Sequence, residues 1–87
     1  MNKHTAVCPN GQIVKRNSAN RRYSHVTVVF NVKKNEWSVL GWSSTKELAF
    51  RNCEKEKTYI NNLIGKNYYT GVFGDKPEFL VLEAAIA

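Results

Sequence analysis

Six cations set the chemistry this sequence could do. Lys15, Arg16, Arg21 and Arg22 fall within eight residues, and Lys33 and Lys34 follow at the far end of the next extended stretch. Guanidinium and ammonium groups recognise carboxylates and phosphates, so what they offer is the binding of an acidic partner. The two groups lie about ten residues apart, roughly 33 Å along an extended strand. They predict two patches or one long stripe, not a compact pocket. A stripe suits a phosphate backbone, where each neutralised phosphate releases counterions, and it suits an acidic protein groove equally well. The plainer alternative is a solvated face that keeps the chain in solution. Aromatic residues add a second feature. Tyr23, Trp37, Trp42, Tyr68 and Tyr69 offer rings on which bases could stack, or else they pack the core. Trp37 and Trp42 have opposite parity, so in a regular strand they cannot both face a helix. One of them is then left exposed as an anchor, because Arg and Trp are the side chains most enriched at interface hot spots.

Reactive groups are sparse. His4 and His25, with a lysine, could cleave RNA by general acid–base chemistry, but nothing except strand adjacency would bring them together. There is no Gly-x-Ser-x-Gly elbow and no phosphate-cradling glycine loop, and Asp75 is the only aspartate. His4, Cys8, His25 and Cys53 make a zinc set by number but not by spacing. No Cys-x-x-Cys pair exists, and His4 and Cys8 would stand about 13 Å apart on an extended strand. The expectation is therefore a protein that is not an enzyme and takes no metal or cofactor, with a small ribonuclease as the remaining alternative. The two cysteines are expected to be reduced and packed; a Cys8–Cys53 disulfide would need the first strand to lie across the helix. Glu56 is conspicuous because it falls inside the apolar arc of the expected helix. It either leans out past a sheet edge to a cation or is a functional carboxylate.

The 87 residues suit a single domain, 1–87, burying roughly 60–65% of its unfolded surface. An apolar fraction of 43% with 23% charged residues argues against disorder. No apolar run approaches the roughly 20 residues of a membrane span. Met1-Asn2-Lys3-His4-Thr5 lacks a signal peptide's apolar core, so the expected location is a cytoplasm. The net charge of +6 is unevenly placed: seven basic and no acidic residues precede Glu36, whereas six basic and seven acidic residues occupy 35–87. Such asymmetry points to an acidic protein or ribonucleoprotein surface, or to nucleic acid directly.

The elements that must position these groups are readable in outline. Residues 3–8 and 13–16 are expected strands flanking Pro9-Asn10-Gly11, a hairpin signal resting on two residues that tolerate positive φ. Tyr23 to Lys33 alternates Val26, Val28, Phe30 and Val32 with Thr27, Asn31 and Lys33, the period of a half-buried strand. Val29 interrupts the polar side, which implies cover on that face as well. Trp37 to Trp42 reads as the partner strand, with Trp37 and Val39 facing opposite to Leu40 and Trp42. A helix is expected over 44–64, opened by a Ser44–Glu47 capping box and stopped at Gly65. Tyr68 to Phe73 and Glu78 to Leu82 are further strand candidates; 83–87 has no clear assignment. The sum is α+β, a mostly antiparallel four- to six-stranded sheet with one helix on one face.

Tyr23-Ser24-His25-Val26-x-Val28-Val29 followed by Trp37-Ser38-Val39-Leu40-Gly41-Trp42-Ser43-Ser44 resembles a pattern found in short bacteriophage accessory proteins. In those, a hairpin with Pro-x-Gly and a basic Arg-x-Ser turn comes first; here the counterparts are Pro9-Asn10-Gly11 and Arg16-Asn17-Ser18. The likeness spans about 5–49, and the aromatic C-terminal third departs from it. It implies stoichiometric binding to host machinery, such as a CRISPR effector, and no reaction. The expected function is thus an inhibitor acting in the host cytoplasm through Lys15, Arg16, Arg21, Arg22, Lys33 and Lys34, anchored by Trp37 or Trp42. Direct low-specificity nucleic-acid binding is the alternative.

Overall fold

In a computed structural model, which describes residues 1–63, 68–74 and 76–86, the chain forms two small antiparallel sheets and one long helix. The elements are β1 (Asn2–Val7), β2 (Ile13–Ser18), β3 (His25–Asn31), β4 (Glu36–Ser43), α1 (Lys46–Leu63), α2 (Tyr68–Phe73), β5 (Phe79–Glu83) and β6 (Ala85–Ile86). The fold is α+β as expected, but the strands do not share one sheet. The first sheet has the order β2-β1-β6 and the second β4-β3-β5. Two segments divide them. Residues 19–24 carry the chain from β2 across to β3, and Ala84, whose N–H donates to Ser24 C=O at 2.8 Å, carries it back from β5 to β6. Within the segment left unassigned from sequence, Ala85–Ile86 thus supplies the third strand of the first sheet, pairing His4 with Ile86, while Glu83 ends β5.

The second sheet is covered on both faces. Val26, Val28 and Phe30 turn toward the first sheet and pack with Ala6, Cys8, Val14, Trp37, Trp42, Leu80 and Leu82. Thr27, Val29 and Asn31 turn the other way, beneath Ala49, Cys53 and Ile60 of α1; Thr27 Oγ1 donates to Ala49 C=O at 3.4 Å. This is why Val29 breaks the polar alternation. Val26, Val28 and Val29 have no exposed surface, and each contributes roughly 1.5 kcal/mol by leaving water. The layers also separate the thiols: Cys8 lies between the sheets and Cys53 on the helix side, and both are free.

A bulge governs the aromatic residues. Thr27 pairs with Gly41 and Val28 with Val39, so Leu40 is an extra residue in β4. The one-residue slip resets the parity. Trp42 opposite Val26 and Trp37 opposite Phe30 therefore both face the first sheet. The expectation that one tryptophan must be exposed assumed a regular strand, and this strand is not regular.

Local signals were met with adjustments. In the first hairpin only Gly11 is left-handed (φ 89); Asn10 instead accepts the Gln12 N–H on Oδ1 at 3.1 Å. Helix α1 is capped by Thr45, whose Oγ1 accepts the Leu48 N–H at 3.2 Å, not by Ser44. Its expected stop at Gly65 lies outside the described residues. The segment 68–73, expected as a strand, is the short helix α2. Its β-prone residues yield to context, because Val72 C=O accepts the Val32 N–H at 2.8 Å and β5 already occupies the free edge of β3.

Gln12 staples the two sheets. Its Oε1 accepts the Trp37 N–H at 2.7 Å and its Nε2 donates to Trp37 C=O at 2.8 Å, so one amide imitates a strand along the edge of β4. Gln12→Ala leaves both backbone groups without a partner in a half-buried position and is expected to cost about 2 kcal/mol, measured by urea denaturation.

Candidate functional site

The main chain of loop 19–24 is held by five hydrogen bonds among the described residues, one of them from the Ala84 N–H to Ser24 C=O. The Arg21 N–H donates to Ser18 Oγ at 2.9 Å, and Asn2 Nδ2 donates to Arg21 C=O at 2.9 Å. The Tyr23 N–H donates to His4 Nε2 at 2.9 Å, and the Ser24 N–H to Ser43 C=O at 2.9 Å. The main chain is thereby fixed while the side chains of Arg21 and Arg22 stay exposed. Both residues border a surface pocket of about 390 Å³ whose wall is completed by Tyr23, Trp42, Ser43, Ser44 and Leu48. Leu48 belongs to the first turn of α1, so the positive end of the helix lies at the rim.

Behind the pocket stands an aromatic cluster. His4 and Tyr23 meet edge-on with ring centres 5.0 Å apart, Trp42 lies 6.1 Å from His4 and 6.4 Å from Tyr23, and the Arg16 guanidinium sits 5.1 Å from the Tyr23 ring centre. His4 is its buried keystone. Because Nε2 accepts the Tyr23 N–H, the ring proton is on Nδ1, which donates to Arg16 C=O at 3.1 Å. Both nitrogens are committed to backbone.

No family model, curated protein or solved structure matches this chain. The site is therefore read from its own geometry.

The six expected cations separate into three places. Arg16, Arg21 and Arg22 gather at the pocket end. Lys15 pairs with Thr5 on the opposite, outer face of the first sheet, beside the exposed pair Val7 and Ile13. Lys33 and Lys34 occupy the β3–β4 turn, held by Lys34 N–H to Asn31 Oδ1 at 3.0 Å and by left-handed Asn35 (φ 54). They stand one seven-residue strand away from the pocket, roughly 23 Å. The alternative of one stripe gives way to separate patches, and the pocket is a feature the sequence did not foresee. Among the described residues the one ion pair is Lys57–Glu54 on α1, at 3.6 Å. The six cations are thus not neutralised by Glu36, Glu54, Glu56 or Glu78. Glu56 is half-buried.

Of the two expected anchors, Trp42 lines the pocket. Trp37 does not: at 5% exposure it lies edge-on to Phe30 at 5.2 Å in the inter-sheet core, with no surface for a partner. Tyr68 and Tyr69 lie in α2. Ser43 and Ser44, which the sequence offered only within the resemblance pattern and, for Ser44, as a helix cap, form part of the wall.

The reactive groups are dispersed. His25 is on the α1 side of β3, away from His4, and shares a 2.7 Å hydrogen bond with Ser24 Oγ; no carboxylate among the described residues bonds its other nitrogen. Among the described residues no three His, Cys, Asp or Glu side chains gather as metal ligands would. Burial pushes both thiols above their ordinary value of 9.0; at Cys53 the Lys57 charge opposes this and the Glu54 charge adds to it. A raised folded-state value favours the protonated thiol, so this contribution to stability is present below pH 9.0 and lost as pH rises through the folded value. A thiol-disulfide reagent at neutral pH is expected to label neither cysteine in the native protein and both after unfolding.

Proposed function

We propose that this chain is a non-enzymatic accessory protein of phage type that binds and blocks a host protein or ribonucleoprotein, acting in the host cytoplasm. The observation that carries the reading is the pocket end itself. Two arginines without a counter-charge among the described residues are held on a backbone fixed by five hydrogen bonds, next to a half-buried tryptophan and two serines. Arginines and aromatic residues are what interface hot spots are made of, and a main chain already fixed spares the entropy of ordering the loop on binding. The rest of the described chain offers no competing chemistry of comparable organisation: both nitrogens of His4 and both thiols are spent inside the fold. No described helix is long and apolar enough to cross a membrane, which agrees with a partner met in solution.

The test is capture of partners from host lysate on the immobilised protein, with and without nuclease. A stoichiometric host protein or ribonucleoprotein, functionally inhibited by an equimolar amount of this chain, is the expected result. Recovery of nucleic acid alone, or of nothing, removes the proposal.

A further inference from the structure

We infer that the pocket bordered by Arg21 and Arg22 receives one unstacked nucleotide of a single strand, its phosphate on the arginines and its base against Trp42. This rests on the reading that the pocket end is the contact surface, and it names the chemistry met there.

Three properties of the pocket point to that occupant. The first is size. At about 390 Å³ it is at the lower end of small-molecule sites, large enough for a nucleotide and too small for a helix or a duplex groove. The second is the pairing of charge with a ring. Arg21 and Arg22 carry forked donors suited to phosphate oxygens, and Ser43 and Ser44 line the same pocket. A carboxylate side chain would satisfy the arginines but leave the aromatic wall unused. The third is rigidity of that wall. Trp42 is backed by Tyr23 and His4, and Tyr23 in turn by the Arg16 guanidinium, so the indole is braced rather than free to collapse over the arginines. A base has a π-face for such a platform only when it is unstacked, and sequence matters little because every base offers one. The separation of the other cations fits as well. With Lys15 on another face and Lys33 and Lys34 a strand-length away, few phosphates are engaged at once.

The test uses the full chain and fluorescein-labelled oligoadenylate, read by anisotropy, beside an unlabelled duplex of equal length, an oligoglutamate peptide and inorganic phosphate as competitors. The single strand is expected to bind with a salt slope of about −0.7, as one phosphate contact on a single strand requires. Trp42→Ala and Arg21→Ala should each weaken it about tenfold, the usual scale for losing one stack or one phosphate fork. Lys33→Ala with Lys34→Ala should not change it. In a Trp37→Phe background, where Trp42 is the remaining tryptophan, binding should quench its fluorescence; anisotropy gives the answer should that variant fold poorly. The inference is overturned if the single strand does not bind, if duplex or oligoglutamate competes equally, if phosphate alone displaces it at similar concentration, or if Trp42→Ala has no effect. Its failure is distinguishable from failure of the proposed function. A host protein still captured through Arg21 and Arg22 after nuclease would leave that function standing, and strand binding with no captured protein would leave only this inference.

Discussion

Replacing His4 with alanine is expected to lower the unfolding free energy by about 4 kcal/mol, a large share of the roughly 5–15 kcal/mol available to a small domain. The ring is 1% exposed, so its removal opens a cavity between the two sheets. It also strips partners from two backbone groups, the Tyr23 N–H and the Arg16 C=O. His4→Phe separates these contributions. Phenylalanine refills the space but can neither accept from Tyr23 nor donate to Arg16, and the loss should be about 2 kcal/mol. Urea denaturation of the two variants measures both. If the alanine variant costs less than about 1 kcal/mol, the site can collapse and His4 is no keystone. Because Tyr23 carries the loop 19–24, both variants should also loosen the arginines next to it.

The second large effect falls on binding and spares the fold. Reversing Arg21 and Arg22 to glutamate should weaken the captured partner by about a hundredfold, since like charges now meet across the interface at a cost of several kcal/mol. The melting temperature should hardly move, because neither guanidinium makes an ion pair among the described residues and both side chains are exposed. Lys33→Glu with Lys34→Glu changes the net charge equally but lies at the other end of β3, so it serves as the control. It should affect the association rate through long-range steering and leave the dissociation rate alone. Interferometry on the partner gives both rates. Equal losses from the two double variants would mean that net charge, and not this pocket, does the recognising.

Individual elements were legible where local chemistry decides them. The alternation around Val26, Val28 and Phe30 and the apolar residues 79–82 gave strands, and the arc through Ala49, Cys53 and Ile60 gave the helix, because burial on a known period leaves a mark in the sequence. What depends on distant partners left no such mark. That 2–7 pairs with 85–86 rather than with 25–31 is set by where two crossovers leave the chain, and neither crossover has a composition of its own. The β4 bulge is one residue long, yet it reverses which way Trp42 faces and so decides whether the second tryptophan joins the first. Segment 68–73 has strand propensity throughout, and only the occupied edge of β3 forces it into a helix. For the site, charge asymmetry pointed to Lys15, Arg16, Arg21, Arg22, Lys33 and Lys34 together, of which the structure sets Arg21 and Arg22 beside the pocket, and a linear sequence cannot show that Ser43 and Ser44 sit next to them. Nor could it show that Lys15 and Arg16, adjacent in sequence, serve opposite faces of β2, although strand alternation made that separation predictable in principle.

Hydrogen-exchange mass spectrometry of the purified complex tests the location of the contact most directly. Slowed exchange on binding is expected in peptides covering 18–24 and 42–48, with 31–36 and the outer-face residues of β1 and β2 unchanged. Protection confined to 31–36, or to 3–7 with 13–15, would place the partner on one of the other basic patches and contradict the assignment of the Arg21–Arg22 pocket.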